Sequence, residues 1–282
     1  MKAKELDERF DAGEDISQYM DLNNFSPMPA LFVGHGNPMN AIEETAYAAA
    51  WREAATTFPR PEAILCISAH WETEGTFVTA MEQPKTIHDF YGFPDALYQV
   101  RYPAPGSPEL AERVRSLVTS CAVRLDDGYS WGLDHGAWSV LRRMYPAADI
   151  PVVQLSLDRN QHPRFHYDLG RELQALREEG VLIVGSGNIV HNLRLLQWDA
   201  AEAFPWATEF DRLAAELILA GEHDRLVAYP ALGEAARLSI PTNEHYLPLL
   251  YILALQRPGE DVSFFAEGLP LGSISMRSVR IG

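Results

Sequence analysis

In the stretch LFVGHGNP at residues 31–38, an apolar run ends at Gly34, and a single histidine, His35, lies between Gly34 and Gly36. A short, continuous apolar run is typical of a strand that is buried on both faces of a sheet. The glycines and the proline that follow are the residues that most often end a strand and begin a loop. We therefore expect the first strand of an open sheet here, with His35 at its carboxyl end.

Three further stretches repeat this pattern of an apolar run or loop followed by a histidine. They are ILCISAHW at residues 64–71, VLIVGSGNIVHN at 181–192 and PTNEHY at 241–246, and they contain His70, His191 and His245. A fifth histidine, His135, lies at the predicted start of a helix, where the positive end of the helix dipole favours a neutral imidazole. Functional residues commonly gather at the carboxyl ends of parallel strands, so we expect these histidines to meet in space.

Strand-like and helix-like segments alternate along most of the chain, which predicts an α/β fold. We expect a single-domain, three-layer sandwich, in which helices flank a mostly parallel central sheet. Residues 27–282 contain no Ser/Gly-rich linker or internal repeat, so they are predicted to form one catalytic domain. Residues 1–26 are predicted to form an N-terminal arm. The sequence of this arm is equally compatible with a short amphipathic segment and with a disordered tail.

The composition excludes several classes of function. The 282 residues have a formal net charge of −16, which argues against nucleic-acid binding because phosphate contacts need clustered Lys and Arg. The two cysteines have no paired spacing, so we expect neither a disulfide framework nor a thiolate zinc site, and a reducing cytoplasm fits best. No apolar run approaches the roughly 20 residues of a membrane span, and the N-terminus lacks the apolar block of a secretory signal.

Five of the nine histidines lie at the junctions of predicted elements. A single histidine at a strand end is more often structural than functional, but five such positions together favour a metal site. Imidazole suits both zinc and iron, and a site with three protein ligands leaves room for a substrate. His162, His166 and His223 lie in polar sequence beside predicted helices and are expected to be exposed to solvent. The role of His88 is left open.

Five motifs resemble, in order along the chain, those of class III (LigB-type) extradiol ring-cleavage dioxygenases, and the nearest branch is the 4,5-DOPA extradiol dioxygenase group. The resemblance extends from about residue 27 to residue 282. The motifs are GHGNPM at residues 34–39, SAHW at 68–71, WGLDHG at 131–136, GNIVHNL at 187–193 and EHYLP at 244–248.

The resemblance implies an α/β sandwich with one divalent metal ion, Zn²⁺ or Fe²⁺, and with a catechol and O₂ as substrates. His35 and His70 match the two metal-binding histidines of the family. Iron members use a glutamate near the C-terminus as the third ligand, whereas the matching motif here offers His245, with Glu244 beside it. His191 matches the acid/base histidine and is also a candidate fourth metal ligand, and His135 matches the second acid/base position.

Aromatic residues near these motifs are candidates for the walls of a catechol pocket, since a flat ring needs apolar, planar surfaces. The candidates are Trp71, Phe90, Tyr91 and Trp131.

Two other functions stay open. One is a zinc-dependent hydrolase, in which Glu244 or Glu72 acts as the base. The other is a non-catalytic metal-binding module, because a fold alone does not determine function. The sequence leaves the oligomeric state open, and a homo-oligomer is compatible with it.

Overall fold

The computed structural model describes residues 26–198 and 202–282. The predicted N-terminal arm therefore lies almost entirely outside the described residues. Among the residues that are described, no helix has both the length and the apolar character needed to cross a bilayer.

One sheet forms the centre of the fold, and its strands are arranged in the order β4-β3-β5-β2-β6-β1-β8-β7. Its four central strands, β5, β2, β6 and β1, are parallel to one another. The strands are β1 (Ala30–Gly34), β2 (Ala63–Thr73), β3 (Thr76–Thr79), β4 (Val123–Asp126), β5 (Val152–Asp158), β6 (Val181–Gly187), β7 (Val262–Phe265) and β8 (Ser278–Ile281).

The sheet is mixed, so the prediction of a mostly parallel sheet was wrong in this respect. Strand β3 runs antiparallel to β5, and β8 runs antiparallel to both β1 and β7, while β3 and β4 are parallel to each other. Only Glu74 and Gly75 separate β2 from β3. This connection is too short for the crossover that a parallel strand requires, so the chain reverses direction.

Helices cover both faces of the sheet, as the three-layer prediction requires. The helix Pro108–Leu117 begins at a local start signal, because Ser107 accepts a hydrogen bond from the Leu110 amide and Pro108 occupies the first turn. The helices are α1 (Ala46–Ala54), α2 (Asp95–Tyr98), α3 (Pro108–Leu117), α4 (His135–Met144), α5 (Pro163–Glu172), α6 (Pro205–Leu219), α7 (His223–Val227), α8 (Glu234–Ser239) and α9 (Leu247–Leu253).

Alternation along the strands produces two apolar layers, one on each face of the sheet. In β1, Leu31 and Val33 join the layer that contains Trp51 of α1 and Trp138 of α4. Phe32 points the other way and joins the layer formed with α3, α5, α6 and α9. Burial of each large apolar side chain contributes roughly 1.5–3 kcal/mol, so the central strands are anchored on both faces. Their carboxyl ends consequently form a rigid edge for a site.

Differences from the predicted elements are concentrated near the C-terminus. The alternating pattern of residues 273–281 predicts a closing strand, but β8 begins only at Ser278, and strand β7 before it was not predicted. The short helices α2, α7 and α8 were also missed. Segments of four to six residues are too short to show a clear hydrophobic period.

Candidate active site

Three histidines from distant parts of the chain meet at the carboxyl edge of the sheet. His35 follows β1, His70 lies near the end of β2, and His245 precedes α9. One ring nitrogen of each lies within 4.8 Å of those of the other two. The Nε2 atoms of His35 and His70 are 3.1 Å apart. The predicted convergence of these three side chains is therefore present in the structure.

Two glycines make this close approach possible. A Cβ atom on Gly187, at the end of β6, would lie 2.1 Å from the backbone oxygen of His245. A Cβ atom on Gly136, in α4, would lie 2.9 Å from the Cδ2 atom of the His70 ring. Any side chain at either position would displace a site histidine, so the glycines of the two sequence motifs serve close packing.

The orientation of the His35 ring follows from a chain of hydrogen bonds. Ser186 Oγ donates to the backbone oxygen of Gly136 over 2.6 Å, and His35 Nδ1 lies 3.0 Å from the same Ser186 Oγ. Because Ser186 donates its one hydroxyl proton to Gly136, His35 Nδ1 must be the donor in its hydrogen bond to Ser186 Oγ. This tautomer leaves a lone pair on His35 Nε2, which faces His70.

Carboxylates face the Nδ1 atoms of the other two rings. His70 Nδ1 lies 3.3 Å from Asp89 Oδ2, and His245 Nδ1 lies 3.0 Å from Glu244 Oε1. A carboxylate accepts hydrogen bonds and favours a proton on the nitrogen that faces it. Carboxylates placed behind histidines in this way are a recurring feature of metal sites, where they set the ring orientation and raise the basicity of the ligand.

The donor set fits a divalent cation. The Nε2 atoms of His35 and His70 lie 3.1 Å apart, a hydrogen-bonding distance that also allows both nitrogens to coordinate one cation, and a ring nitrogen of His245 lies within 4.8 Å of the other two. Burial, together with the neighbouring imidazoles, lowers the pKa of both His35 and His245, so both rings are in the neutral form that binds metals. Three neutral imidazoles suit Zn²⁺ and Fe²⁺.

His191 lies beside this group rather than within it. Its ring stacks on that of His245 with a centroid distance of 3.5 Å and an interplanar angle of 11°. A ring nitrogen of His191 lies within 4.8 Å of donor atoms of Glu244 and His245, but His191 is absent from the group formed by the three histidines. Burial lowers the pKa of His191 to about 4. His191 is therefore a neutral ring, and its role as a fourth ligand stays a prediction.

His135 is held on the other side of the site by the start of α4. Asp134 caps this helix by accepting from the amide of Ala137, and the His135 ring lies 3.9 Å from that of His70, centroid to centroid. Asp89 also contacts His135, whose Nδ1 is 3.0 Å from Asp89 Oδ1. Two candidate acid/base residues thus flank the three histidines.

Asp89 is a residue of this site that the sequence analysis missed. It lies in an irregular, aromatic-rich segment between β3 and α2, where no periodic pattern marks an individual side chain. Its position between His88 and Phe90, inside a segment that the family resemblance covers, was the only available signal.

The four predicted aromatic residues are divided between the site and the surface. Trp71 and Trp131 stack with a centroid distance of 5.9 Å, and the Trp131 indole nitrogen donates to Asp134. The Phe90 ring lies 5.5 Å from that of His135. Tyr91 is 92% exposed, so it forms no wall in this arrangement. Substrate contacts by these residues stay a prediction.

The solvent exposure of the remaining histidines differs in part from the prediction. His166 was expected to be exposed but is fully buried, because α5 packs against α9 and Tyr251 provides a hydroxyl 3.0 Å from His166 Nδ1. His162 is exposed, as predicted, whereas His223 is partly buried beside Tyr167. The Nε2 atom of His88 lies 3.0 Å from the backbone oxygen of Val100, which indicates a structural role.

Comparison with known protein families identifies the class of enzyme. Residues 27–257 match the model of the LigB family, the catalytic LigB subunit of aromatic ring-opening dioxygenases. The match covers most of the chain and includes the elements that hold all five site histidines. The chain belongs to the LigB family and is an extradiol ring-cleaving dioxygenase.

Individual relatives point to the same class. The chain is 52% identical over 259 residues to an Escherichia coli K12 protein named 4,5-DOPA dioxygenase extradiol, covering 90% of this chain and 95% of the relative. A Beta vulgaris protein of the same name is 40% identical over 224 residues, covering 78% of this chain and 83% of the relative. The crystal structure of an uncharacterized E. coli K12 protein is also similar, with a TM-score of 0.79, 46% identity, and coverage of 90% of this chain and all of that one.

Proposed function

We propose that this enzyme binds one divalent metal ion through His35, His70 and His245 and uses it to open the ring of a catechol with O₂. One observation carries the proposal. Ser186 and Glu244 are hydrogen-bond partners of Nδ1 of His35 and His245, the Asp89 carboxylate lies 3.3 Å from Nδ1 of His70, and one ring nitrogen of each histidine lies within 4.8 Å of those of the other two.

His191 is the proposed base. A catechol must lose protons before both of its oxygens can bind a metal, and a neutral imidazole is a suitable acceptor. Burial keeps His191 neutral, and its ring lies against that of the proposed ligand His245. When bound, the metal holds the two substrates together and allows electrons to pass between them.

His135 is the proposed second acid/base residue. It faces the opposite side of the cluster, with its ring near His70 and its Nδ1 near Asp89. This placement allows His135 to hold or deliver a proton while His191 carries the proton taken from the substrate. Phe90, Trp71 and Trp131 are the proposed walls of the substrate site, because flat apolar surfaces favour an aromatic ring.

L-DOPA is the proposed substrate, on the basis of the names of the E. coli and B. vulgaris relatives. The metal is proposed to be either Zn²⁺ or Fe²⁺, since three imidazoles suit both ions. Metal analysis of protein purified without added metal identifies the ion that the site retains.

The test is anaerobic reconstitution with Fe²⁺, followed by addition of L-DOPA and air. The proposal predicts oxygen uptake together with a yellow ring-opened product. Cleavage of esters or amides by the Zn²⁺ form, with no oxygen uptake by the Fe²⁺ form, would instead establish the hydrolase alternative. Inactivity of both forms would favour a metal-binding module. The family match and the names of the relatives favour the dioxygenase over both alternatives.

We also infer that residues 27–282 form a single domain and that the protein works in the cytoplasm. The sheet takes its strands from residues 30–281, and Cys66 and Cys121 are free thiols, as in a reducing compartment. A chain that begins at residue 27 should keep the metal affinity of the full-length protein, and fractionated cells should show where the protein resides.

A further inference from the structure

Asp89 is shared between two histidines with different proposed roles. Its Oδ2 atom lies 3.3 Å from Nδ1 of His70, a proposed metal ligand. Its Oδ1 atom lies 3.0 Å from Nδ1 of His135, a proposed acid/base residue, and accepts a hydrogen bond of 2.9 Å from the backbone amide of His135. Both oxygens of this one carboxylate therefore face ring nitrogens of the site.

Neither ring nitrogen is aligned with the carboxylate as in a hydrogen bond, and His135 Nδ1 is buried without a hydrogen-bond partner among the described residues, so Asp89 acts on both rings through its negative charge. A carboxylate has only acceptor atoms, so each Nδ1 that faces it is favoured in its protonated form. Each ring then presents an Nε2 lone pair, which a metal ligand needs and which a base needs to accept a proton.

We propose that Asp89 is a positioning residue that holds His70 and His135 in the Nδ1–H tautomer and thereby couples the metal site to the acid/base residue. This proposal rests on the ligand set of the proposed function.

The isosteric Asp89→Asn variant cannot satisfy both demands. Its carbonyl oxygen must stay at the Oδ1 position, because the His135 backbone amide donates there. The amide NH₂ group then replaces Oδ2 and donates to His70 Nδ1. His70 is driven to the Nε2–H tautomer, which cannot bind a metal, while His135 keeps its original tautomer.

The experiment measures the Kd of Zn²⁺ by chelator competition for the full chain and three variants. We expect Asp89→Asn to weaken binding about 100-fold and Asp89→Ala about 10-fold, within the range found for residues that support a metal ligand. The surface control Asp224→Asn, whose side chain is 86% exposed, should stay within about threefold of the parent. Circular dichroism confirms that each variant is folded.

The relative size of the two losses of Zn²⁺ affinity is decisive. If Asp89 had only a structural role, the isosteric Asn would weaken Zn²⁺ binding less than the truncated Ala. In metal-free Asp89→Asn at pH 8, ¹⁵N NMR should also show His70 protonated at Nε2. An equal or smaller effect of Asn than of Ala, or a His70 ring protonated at Nδ1 in Asp89→Asn, overturns the proposal.

Two further results separate this proposal from the proposed function. If Asp89→Asn does not fold, Asp89→Ala decides, since an unchanged Kd contradicts the positioning role and a tenfold rise supports it. If the parent protein binds no Zn²⁺, the ligand set of the proposed function fails, and the NMR measurement on metal-free protein still decides the tautomer of His70.

Discussion

His35 and His166 are buried to the same extent but have different surroundings. His35 is 2% exposed at the carboxyl edge of the sheet, and His166 is fully buried between α5 and α9. Burial lowers the pKa of both rings. His35 faces further imidazole nitrogens through Nε2, whereas His166 contacts the hydroxyl of Tyr251 through Nδ1. Neither burial nor a shifted pKa therefore distinguishes a functional histidine.

The arrangement of acceptors makes the difference. Around the site, a hydroxyl and two carboxylates face the outer nitrogens of three rings, and the inner nitrogens converge. His166 belongs to no potential metal-binding group among the described residues. A buried histidine becomes a candidate ligand when its partners leave lone pairs that point at one another.

Replacing His35 should have the largest effect. We expect His35→Ala to reduce metal content to background and to abolish turnover, because two imidazoles remain where three are needed. The Zn²⁺ affinity should fall by well over ~100-fold, beyond the effect of losing a supporting residue. Metal analysis and oxygen uptake check this result. Retention of one metal ion per chain by His35→Ala would remove His35 from the ligand set.

His191→Ala should lower kcat by about 10²–10⁴-fold, the usual contribution of a positioned acid or base. Metal content should remain near that of the parent, because His191 lies outside the group of three histidines. Parallel measurement of oxygen uptake and metal content separates the two roles. Near-normal ring cleavage would contradict the role of His191 as a base, and loss of the metal would instead establish it as a ligand.

Ser186→Ala should have an intermediate effect. The variant removes the acceptor that holds His35 in the Nδ1–H tautomer, so the Zn²⁺ affinity should fall about 10- to 100-fold with little loss of stability. Chelator competition measures the change. Ser68→Ala is the comparison and should weaken Zn²⁺ binding less, because the Ser68 hydroxyl donates to Asp134 and accepts from the His70 backbone amide but forms no hydrogen bond with the ring of a proposed ligand. Equal effects of the two variants would rule out a specific role for Ser186.

His166→Gln should leave metal content and turnover unchanged but alter the pH dependence of stability. Burial lowers the pKa of His166 from 6.5 to about 4 in the folded protein, so only the unfolded chain binds a proton between these values. Stability from this group is full above pH 6.5 and is lost as the pH falls towards 4.

Between pH 7 and pH 5, His166 should account for about 2 kcal/mol of the lost stability. Urea unfolding of the parent and of His166→Gln at both pH values isolates this contribution, because the other titrating groups are shared. Identical pH dependence in the two proteins would show that His166 does not titrate as its burial implies. A change in metal content would show that the two histidine environments are connected.

The extent to which sequence predicted the molecule differs between its parts. The central strands were recognised because each is a continuous apolar run, and the five site histidines because glycines or strand ends lie beside them. The orientation of the outer strands was predicted wrongly, since it depends on which strand the chain returns to after a short connection. Asp89 was missed because its role arises from contacts with His135, 46 positions away along the chain.

By itself, the sequence determined that apolar strands end in histidines and that helices cover the strands between them. Those properties follow from local hydrophobic patterns and turn residues, which act over a few positions. Only the tertiary structure decided which groups face the nitrogens of each site histidine, why His166 is excluded from the site and how one carboxylate contacts two rings. Those outcomes depend on packing between segments far apart in the chain, and no local pattern encodes them.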